Sequence, residues 1–197
     1  MKKVVITIGR EFGSGGREIG IKLSKKLNIP FYDKELILHT AEKTNLEKSI
    51  VERYDEQHSF PAFSSSNIFD IYQMPMSDRI YIAQADVIRD VANKESCIIV
   101  GRCADFILDE NPDVFKVFIT APMKDKIERK RSILEGKTDS EIESHISKID
   151  KKRAKYYTYY TDRTWGKAST YNLCIDSSIL GIDGTVELIA NAVEMRK

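Results

Sequence analysis

Short runs of mostly apolar residues alternate with longer stretches of mixed polarity along this chain of 197 residues. A short continuous apolar run is typical of a parallel strand that is covered on both faces. Because strands that alternate with helices form an open parallel sheet with right-handed crossovers, the pattern predicts an α/β fold, a five-stranded parallel sheet with helices on both faces. The predicted strands are residues 4–8, 29–32, 96–100, 114–120 and 171–176.

Between these runs, apolar residues recur every three or four positions, which is the spacing of a helix that packs on one face. The predicted helices cover residues 17–27, 34–54, 77–93, the charged stretch after Pro122, residues 140–160 and residues 182–196. Ser77 is expected to cap the helix that it begins, because its hydroxyl can accept from a backbone N–H of the first turn. Gly136 and Asp139 are expected to separate the two charged helices.

Residues 34–76 interrupt the alternation of strands and helices. After the helical pattern of residues 34–54, the chain combines turn-forming Ser, Pro and Asn with apolar aromatic residues such as Phe60, Phe63 and Tyr72. A loop of this length in a compact domain is usually a lid, a binding loop or a contact surface. We therefore expect a single domain in which residues 34–76 form an insert that closes over a ligand.

Composition narrows the functional classes. The chain is 42% hydrophobic and 31% charged, and no apolar segment approaches the ~18 residues of a membrane span, so we expect a globular protein that does not cross a membrane. The first apolar run ends at Arg10, too early for a signal peptide, which predicts a cytoplasmic location. The net charge of +1 argues against a general nucleic-acid-binding surface. Cys97, Cys103 and Cys174 lack a CxxC pair and are expected to be packing residues.

A cluster of glycines follows the first predicted strand and precedes a predicted helix. Gly13, Gly15 and Gly16 lack the Cβ that would hinder a positive φ or a close approach to a ligand. Their N–H groups can therefore turn toward an anion at the positive end of the helix. This order of strand, glycine turn and helix indicates a phosphate-binding loop, although a tight structural turn explains the glycines alone equally well.

The glycine turn departs from the standard phosphate loop, G-x-x-x-x-G-K-[ST]. Aligned on Gly15, that motif puts Arg10 in the first glycine position, Gly16 in the lysine position and Arg17 in the Ser/Thr position. The dinucleotide-binding motif fits less well, because it requires glycine where Glu18 stands. The sequence therefore raises the question of whether Arg17 supplies the charge of the missing lysine.

Polar residues stand where the other predicted strands end. They are Asp33, Arg102, Thr120 and Asp176. Because ligands of open parallel sheets bind beyond the carboxyl ends of the strands, we expect these groups to converge near the glycine turn. Capping of the following helix is an alternative for Asp33, and it is the favoured role of Asp176 and its neighbours Ser177 and Ser178.

Over nearly its whole length the chain resembles the cytidylate-kinase-like proteins of the P-loop nucleoside monophosphate kinase group. The glycine-turn segment looks like the signature of a divergent branch, and the other two segments look like the Gly-Arg-Asp turn and the late strand of cytidylate kinase. The segments are residues 8–20 with 31–36, residues 100–102 leading to 117–121, and residues 174–178. The resemblance implies a three-layer P-loop NTPase fold and phosphoryl transfer from ATP, with Mg²⁺, to a nucleoside monophosphate such as CMP or dCMP.

The resemblance also implies roles for particular residues. Arg17, Arg129 and Arg153 would be catalytic, the latter two as arginines of a lid. The ATP phosphates would be bound by Gly13, Ser14, Gly15, Gly16 and Arg17. The acceptor would be bound by Asp33, Arg102 and Asp105, and the candidate ligands of magnesium are Ser14 and Glu18.

Two departures from the family pattern concern the acceptor. The aspartate of the Gly-Arg-Asp turn is replaced by Cys103, so that Asp105 is the nearest carboxylate, and the acidic residue before the turn is replaced by Val100. A changed acceptor is therefore a real alternative to CMP. The implied domain has a core of residues 1–33, 77–122 and 165–197, an acceptor-binding insert of residues 34–76 and a lid of residues 123–164.

Other interpretations stay open at this point. The missing lysine and hydroxyl are compatible with a nucleotide-binding sensor or partner module that lacks catalysis. A structural protein whose insert forms an interface is a third hypothesis. The tyrosines of residues 156–160 are expected to pack within the lid or in a homodimer contact rather than to stack on a base. The lysines of residues 124–155 also fit a solvated helix face.

Overall fold

The computed structural model describes residues 3–33 and 75–196, together with His39 and Glu42. Its strands form one sheet in the order β2-β3-β1-β4-β5. Every neighbouring pair is parallel, which confirms the predicted five-stranded parallel sheet. The strands are β1 (Val5–Arg10), β2 (Phe31–Tyr32), β3 (Cys97–Val100), β4 (Val114–Thr120) and β5 (Leu173–Asp176).

The central strand, β1, extends two residues beyond its apolar run. Its residues pair with β3 as far as Ile8, opposite Val100, and with the longer β4 as far as Arg10, opposite Ile119. Pairing with β4 therefore carries Arg10 to the carboxyl edge of the sheet, where ligands of such sheets bind.

The described helices lie close to the predicted ones. They are α1 (Gly16–Leu27), α2 (Met76–Lys94), α3 (Ala104–Ile107), α4 (Met123–Arg131), α5 (Asp139–Thr161) and α6 (Ser177–Glu194). The short helix α3 and the 3₁₀ turn Ala168–Thr170 have too few residues to show a periodicity in the sequence. Helix α6 begins five residues earlier than predicted, but Gly181, with φ of 65° and ψ of −177°, interrupts its helical backbone just before Ile182.

The predicted cap of α2 is wrong. The N-cap residue is Pro75, with φ of −51° and ψ of 140°, and Ser77 lies inside the first turn. The carbonyl of Pro75 accepts from the N–H groups of Asp78 and Arg79 at 3.0 and 3.2 Å. The hydroxyl of Ser77 instead donates to the carboxylate of Asp78 at 3.4 Å. The helix starts earlier than predicted because the Pro75 carbonyl accepts these first bonds. Proline suits the start of a helix because an N–H there would have no partner within the helix.

Two apolar layers cover the sheet. Because successive side chains of a strand point to opposite faces, Ile6 and Ile8 of β1 pack with α1 and α6, whereas Val5 packs with α2 and α3. Ile98 and Ile99 of β3 divide in the same way. Helices on both faces are thus confirmed, and the core lies below the carboxyl edge.

The insert predicted for residues 34–76 lies almost entirely outside the described residues, as does the helix predicted for residues 34–54. Among the helices in the described part of the chain, none is both long and apolar enough to cross a bilayer.

Candidate active site

The glycine turn connects β1 to α1 at the carboxyl edge of the sheet. Gly13 and Gly15 have φ of 85° and 81°, a conformation that favours glycine. The first helical bond of α1 runs from Ile19 N–H to the Gly15 carbonyl at 2.9 Å. The N–H groups of residues 16–18 precede this bonding pattern, and no side chain caps the helix. The backbone therefore offers several donors to an anion at the positive end of α1, and it fits a phosphate group.

Side chains from α4 and α6 fix the back of the glycine turn. Arg129 donates to the Gly13 carbonyl at 3.3 Å and to the Ser177 hydroxyl at 3.2 Å. Ser177 donates in turn to the Ser14 carbonyl at 2.7 Å. With these carbonyl oxygens bonded to side chains, the turn is held in one conformation. Arg129, predicted as a lid arginine, therefore lies against the turn itself.

A buried ion-pair network, here named the Lys126 cluster, comprises Glu11, Lys126 and Asp150. The Lys126 Nζ lies 2.6 Å from Glu11 Oε2 and 3.5 Å from Asp150 Oδ2, and Lys126 is only 5% exposed. Glu11 also accepts from the Thr120 hydroxyl, and Asp150 accepts from Phe12 N–H at 2.7 Å. Burial raises the pKa of Asp150 against the opposing effects of Phe12 N–H and Lys126. The cluster fastens α4 and α5 to the start of the glycine turn.

Arg153 lies where α5 meets the end of β1. Its Nη1 donates to the Arg10 carbonyl at 3.1 Å, and its guanidinium lies 5.6 Å from the centre of the Phe12 ring. Burial is the main cause that lowers the pKa of Arg153; Asp150 and Asp33 act in the opposite direction, whereas Arg102 lowers it further. Arg153, the second predicted lid arginine, thus contacts the backbone in front of the turn.

Arg17 points toward the end of β2. Its Nε donates to Asp33 Oδ2 at 2.6 Å, and its side chain is 57% exposed against 10% for Asp33. The structure therefore joins a predicted phosphate-binding residue to a predicted acceptor-binding residue. Because the bond uses Nε, the two terminal nitrogens of the guanidinium are not part of it. The role of Asp33 as a cap of the helix predicted from residue 34 falls outside the described residues.

The turn after β3 has an unusual backbone. Gly101, Arg102 and Cys103 have φ of 77°, 58° and 55°, and positive φ is uncommon for residues other than glycine. Such conformations cost free energy and concentrate at functional sites. Arg102 and Asp33 both act on the pKa of Arg153, which bonds the Arg10 carbonyl, and Arg17 bonds Asp33. We therefore name Arg10, Arg17, Arg102 and Arg153 together with Asp33 the arginine group.

Asp105 has a partner that the sequence did not indicate. It is 7% exposed and accepts from the Tyr157 hydroxyl at 2.7 Å. Burial raises its pKa, and the bond from Tyr157 acts in the opposite direction. Asp105 therefore joins α3 to α5, and an acceptor-binding role for it stays a prediction.

The two candidate ligands of magnesium make contacts within the protein. The Ser14 hydroxyl is fully buried and donates to the Glu11 carbonyl at 2.9 Å, and the Glu18 carboxylate lies 3.5 Å from the Lys22 Nζ on the surface. Within residues 3–33 and 75–196, no three His, Cys, Asp or Glu side chains lie close enough together to hold a metal ion. The described side chains thus form no cluster of three metal ligands, and a magnesium ion here would take phosphate oxygens and water as its main ligands.

Other predicted roles have clearer outcomes. Asp176 caps α6, since its Oδ1 accepts from Ser178 N–H at 2.9 Å, which confirms the favoured interpretation. Tyr160 stacks on Tyr81 of α2 with ring centres 3.9 Å apart, so this tyrosine of α5 packs against α2, whereas Tyr159 is 52% exposed. The sequence analysis missed Lys126, whose partners are far away in the chain. It also left Arg10 without a role, although an arginine in a glycine position was a visible signal.

Comparisons with known proteins place this architecture in a family. The chain matches the family model described as "Cytidylate kinase-like family" over residues 5–179. It is 25% identical to the cytidylate kinase of Methanosphaera stadtmanae over 195 residues, which cover 98% of this chain and 100% of the relative.

Solved structures share the fold. An uncharacterized protein from Eubacterium ventriosum is 31% identical with a TM-score of 0.76, covering 98% of this chain and 100% of that one. The shikimate kinase of Bacteroides thetaiotaomicron is 20% identical with a TM-score of 0.58, over 98% and 99% of the two chains, and shows likeness of fold alone. The family match spans the glycine turn, the turn after β3 and the start of α6, and on this basis the chain belongs to the cytidylate kinase-like family.

Proposed function

We propose that this protein transfers the γ-phosphoryl group of ATP to the phosphate of a nucleoside monophosphate, with CMP or dCMP as the expected acceptor. Membership of the family and the relative named cytidylate kinase support a kinase. The observation that carries the proposal is the continuity of residues 13–17, since the turn that offers N–H groups to an anion leads directly to Arg17 and its bond with Asp33. We also expect the protein to work in the cytoplasm.

The reaction places few demands on acid or base groups of the protein. An oxygen of the acceptor phosphate forms a bond to the γ-phosphorus while the bond from that phosphorus to the β,γ-bridging oxygen breaks, which yields a nucleoside diphosphate and ADP. A phosphate monoester has a second pKa of about 6, so at pH 7 the attacking oxygen is mostly ionised already. The site therefore has to supply position and positive charge.

The described residues divide this work between them. The N–H groups at the start of α1 bind the β- and γ-phosphates of ATP, and Arg129 holds the turn that presents them. Arg17, oriented by Asp33, binds the phosphate through its terminal nitrogens, on a side chain that is 57% exposed, and this fork can bond two oxygens at once. Arg102 binds the acceptor at the neighbouring turn. Arg153 keeps the end of β1 in place through the Arg10 carbonyl.

In this proposal the magnesium ion enters the site bound to ATP. Mg²⁺ commonly binds through substrate phosphates and water with few protein ligands, and Ser14 and Glu18 do not form a site for it. No role of a residue above depends on the ion.

An assay of ADP release against a panel of monophosphates tests the proposal. With CMP or dCMP we expect one ADP to be released for each nucleoside diphosphate formed. The reaction with AMP, GMP and UMP should be slower. The wider panel is necessary because Val100 and Cys103 stand where the family pattern has acidic residues, so the acceptor is open to change. Arg89→Ala, which removes an arginine exposed on α2, serves as a control of unchanged rate. Absence of ADP release with every acceptor would contradict the proposal.

A nucleotide sensor without catalysis is a second candidate. It is favoured by Gly16, which offers no side chain where the standard loop has its lysine, and by the Ser14 hydroxyl, which is fully buried. Calorimetric titration separates the two functions, because a sensor binds ATP and the acceptor but forms no diphosphate.

A further inference from the structure

The standard phosphate loop has glycine at the position of Arg10 and lysine at the position of Gly16. In this chain the basic residue and the glycine have therefore changed places. The structure shows that the two positions share one space. A Cβ added to Gly16 would lie 2.5 Å from the Cβ and 3.0 Å from the Cγ of Arg10. The stem of Arg10 therefore fills the volume in which a side chain of residue 16 would begin.

The head of Arg10 reaches the turn after β3. A Cβ added to Gly101 would lie 2.0 Å from Nη1 and 3.0 Å from Cζ of Arg10, so the guanidinium rests directly on this glycine. Arg102, the predicted acceptor-binding arginine, is the next residue. The side chain thus runs from the start of the glycine turn to the turn after β3.

Contacts of the backbone fix where this side chain starts. Arg10 is the last residue of β1, opposite Ile119, and its carbonyl accepts from Arg153 at 3.1 Å. The residue is half-buried. Arg17, Arg102 and Arg153 belong to the same group, in which four guanidinium groups face the single carboxylate of Asp33, and this excess of positive charge at one edge favours an anionic ligand there.

We propose that Arg10 is a catalytic residue that supplies, between the donor and acceptor phosphates, the positive charge that the standard loop takes from its lysine. This inference rests on the proposed function. As the γ-phosphoryl group moves from the bridging oxygen of ATP to the acceptor oxygen, Arg10 donates hydrogen bonds to the phosphate oxygens and keeps its protons. A guanidinium suits this task because its fork can bond oxygens of two phosphates.

The shared space is tested without any assay of activity. Gly16→Ala is expected to lower the melting temperature by several degrees in the wild-type background, because its Cβ meets the Arg10 stem, and by much less in an Arg10→Gly background. Gly184→Ala on α6 is the control and should cost the same in both backgrounds. An equal cost of Gly16→Ala in both backgrounds would overturn the structural basis of the inference.

Kinetics test the charge. Arg10→Gln is expected to lower kcat by about 10²–10³-fold. Arg10→Lys, which keeps the charge but loses the fork, should be intermediate and replaces Arg10→Gln if that variant does not fold. The double variant Arg10→Gly/Gly16→Lys, which restores the standard pattern, should be faster than Arg10→Gly, while Arg89→Gln keeps the wild-type rate. Turnover of both Arg10→Gln and Arg10→Lys within twofold of wild type would overturn the inference.

Binding of inorganic tripolyphosphate distinguishes this inference from the proposed function. If the wild-type protein transfers no phosphoryl group to any acceptor, the proposed function fails. Arg10 is then supported as a phosphate-binding residue if the wild type binds tripolyphosphate and Arg10→Gln binds it about tenfold more weakly or worse. Equal affinity of the two proteins, or no binding by the wild type, would overturn it.

Discussion

Two charged groups flank the end of β1, and they differ in their balance of charge. The Lys126 cluster lies on the side of β4, where one buried ammonium meets the carboxylates of Glu11 and Asp150. The arginine group lies on the side of β3 and β2, where Arg10 rests on Gly101 and Arg17 bonds Asp33. The first group has two carboxylates around one ammonium, whereas the second has four guanidinium groups around the carboxylate of Asp33, with Asp150 3.8 Å from Arg153.

This difference indicates which charged groups hold the glycine turn in place and which ones bind the phosphates of a ligand. Ions buried away from water are costly unless they are paired and hydrogen-bonded, and Lys126 has both its carboxylates beside it. Arg17, at 57% exposed, keeps its charge in contact with solvent and can exchange water for phosphate. Changes in the Lys126 cluster should therefore act on stability, and a change of Arg17 in the arginine group chiefly on activity.

The largest effect on stability is expected for Lys126→Met. The change leaves Glu11 and Asp150 without their buried cation, and loss of one partner of a buried pair costs about 3–5 kcal/mol. We expect the lower end of that range, because the two carboxylates are 25% and 17% exposed. Denaturant unfolding measures it, with Lys152→Met on the exposed face of α5 as the matched control. A loss below about 1 kcal/mol would place the cluster among ordinary surface pairs.

A comparable effect, but on turnover, is expected for Arg17→Ala. Removal of a donor to the phosphates should lower kcat by about 10²–10³-fold. Loss of the part-buried bond with Asp33, whose carboxylate is 10% exposed, should lower the free energy of unfolding by about 1–3 kcal/mol. Steady-state kinetics and denaturant unfolding of the same preparation provide both values. Wild-type turnover in this variant would remove Arg17 from the proposed site.

The smallest effect is a pH dependence within the Lys126 cluster. The pKa of Asp150 is raised above the ordinary value of 3.8, chiefly by burial, so the folded state holds this proton more tightly than the unfolded state. The contribution of Asp150 to stability is therefore full below pH 3.8 and declines as the pH rises through its folded pKa. The advantage of the wild type over Asp150→Asn, measured by unfolding between pH 3.5 and 7, should shrink as pH rises; growth of that advantage would contradict the sign.

Much of the fold could be predicted because each strand is marked by a local run of apolar residues. The runs ending at Ile8, Val100 and Thr120 are mostly apolar, as a sheet covered on both faces requires, and Lys116 is the one charged residue within them. The early start of α2 could not be predicted, since it depends on the carbonyl of Pro75, whereas serine is the usual signal for a cap.

The site was predictable in position more than in detail. Strand ends placed Asp33 and Arg102 near the glycine turn, as the topology of a parallel sheet requires. The pairing of Lys126 with Glu11 depends on how α4 packs over Gly13, which no local pattern records. The path of Arg10 is a similar case, because it follows from the space left by Gly16 and Gly101 together.

The central claim is that the arginine group binds the phosphates of both nucleotides. Calorimetric titration with a bisubstrate analogue tests it most directly. In this analogue a pentaphosphate chain joins adenosine to cytidine. The account predicts one tightly bound molecule per chain, an affinity that falls with added salt, and binding weaker by about tenfold or more in Arg17→Ala. Arg89→Ala should bind like the wild type. No binding by the wild type, or equal affinity in Arg17→Ala, would contradict the account.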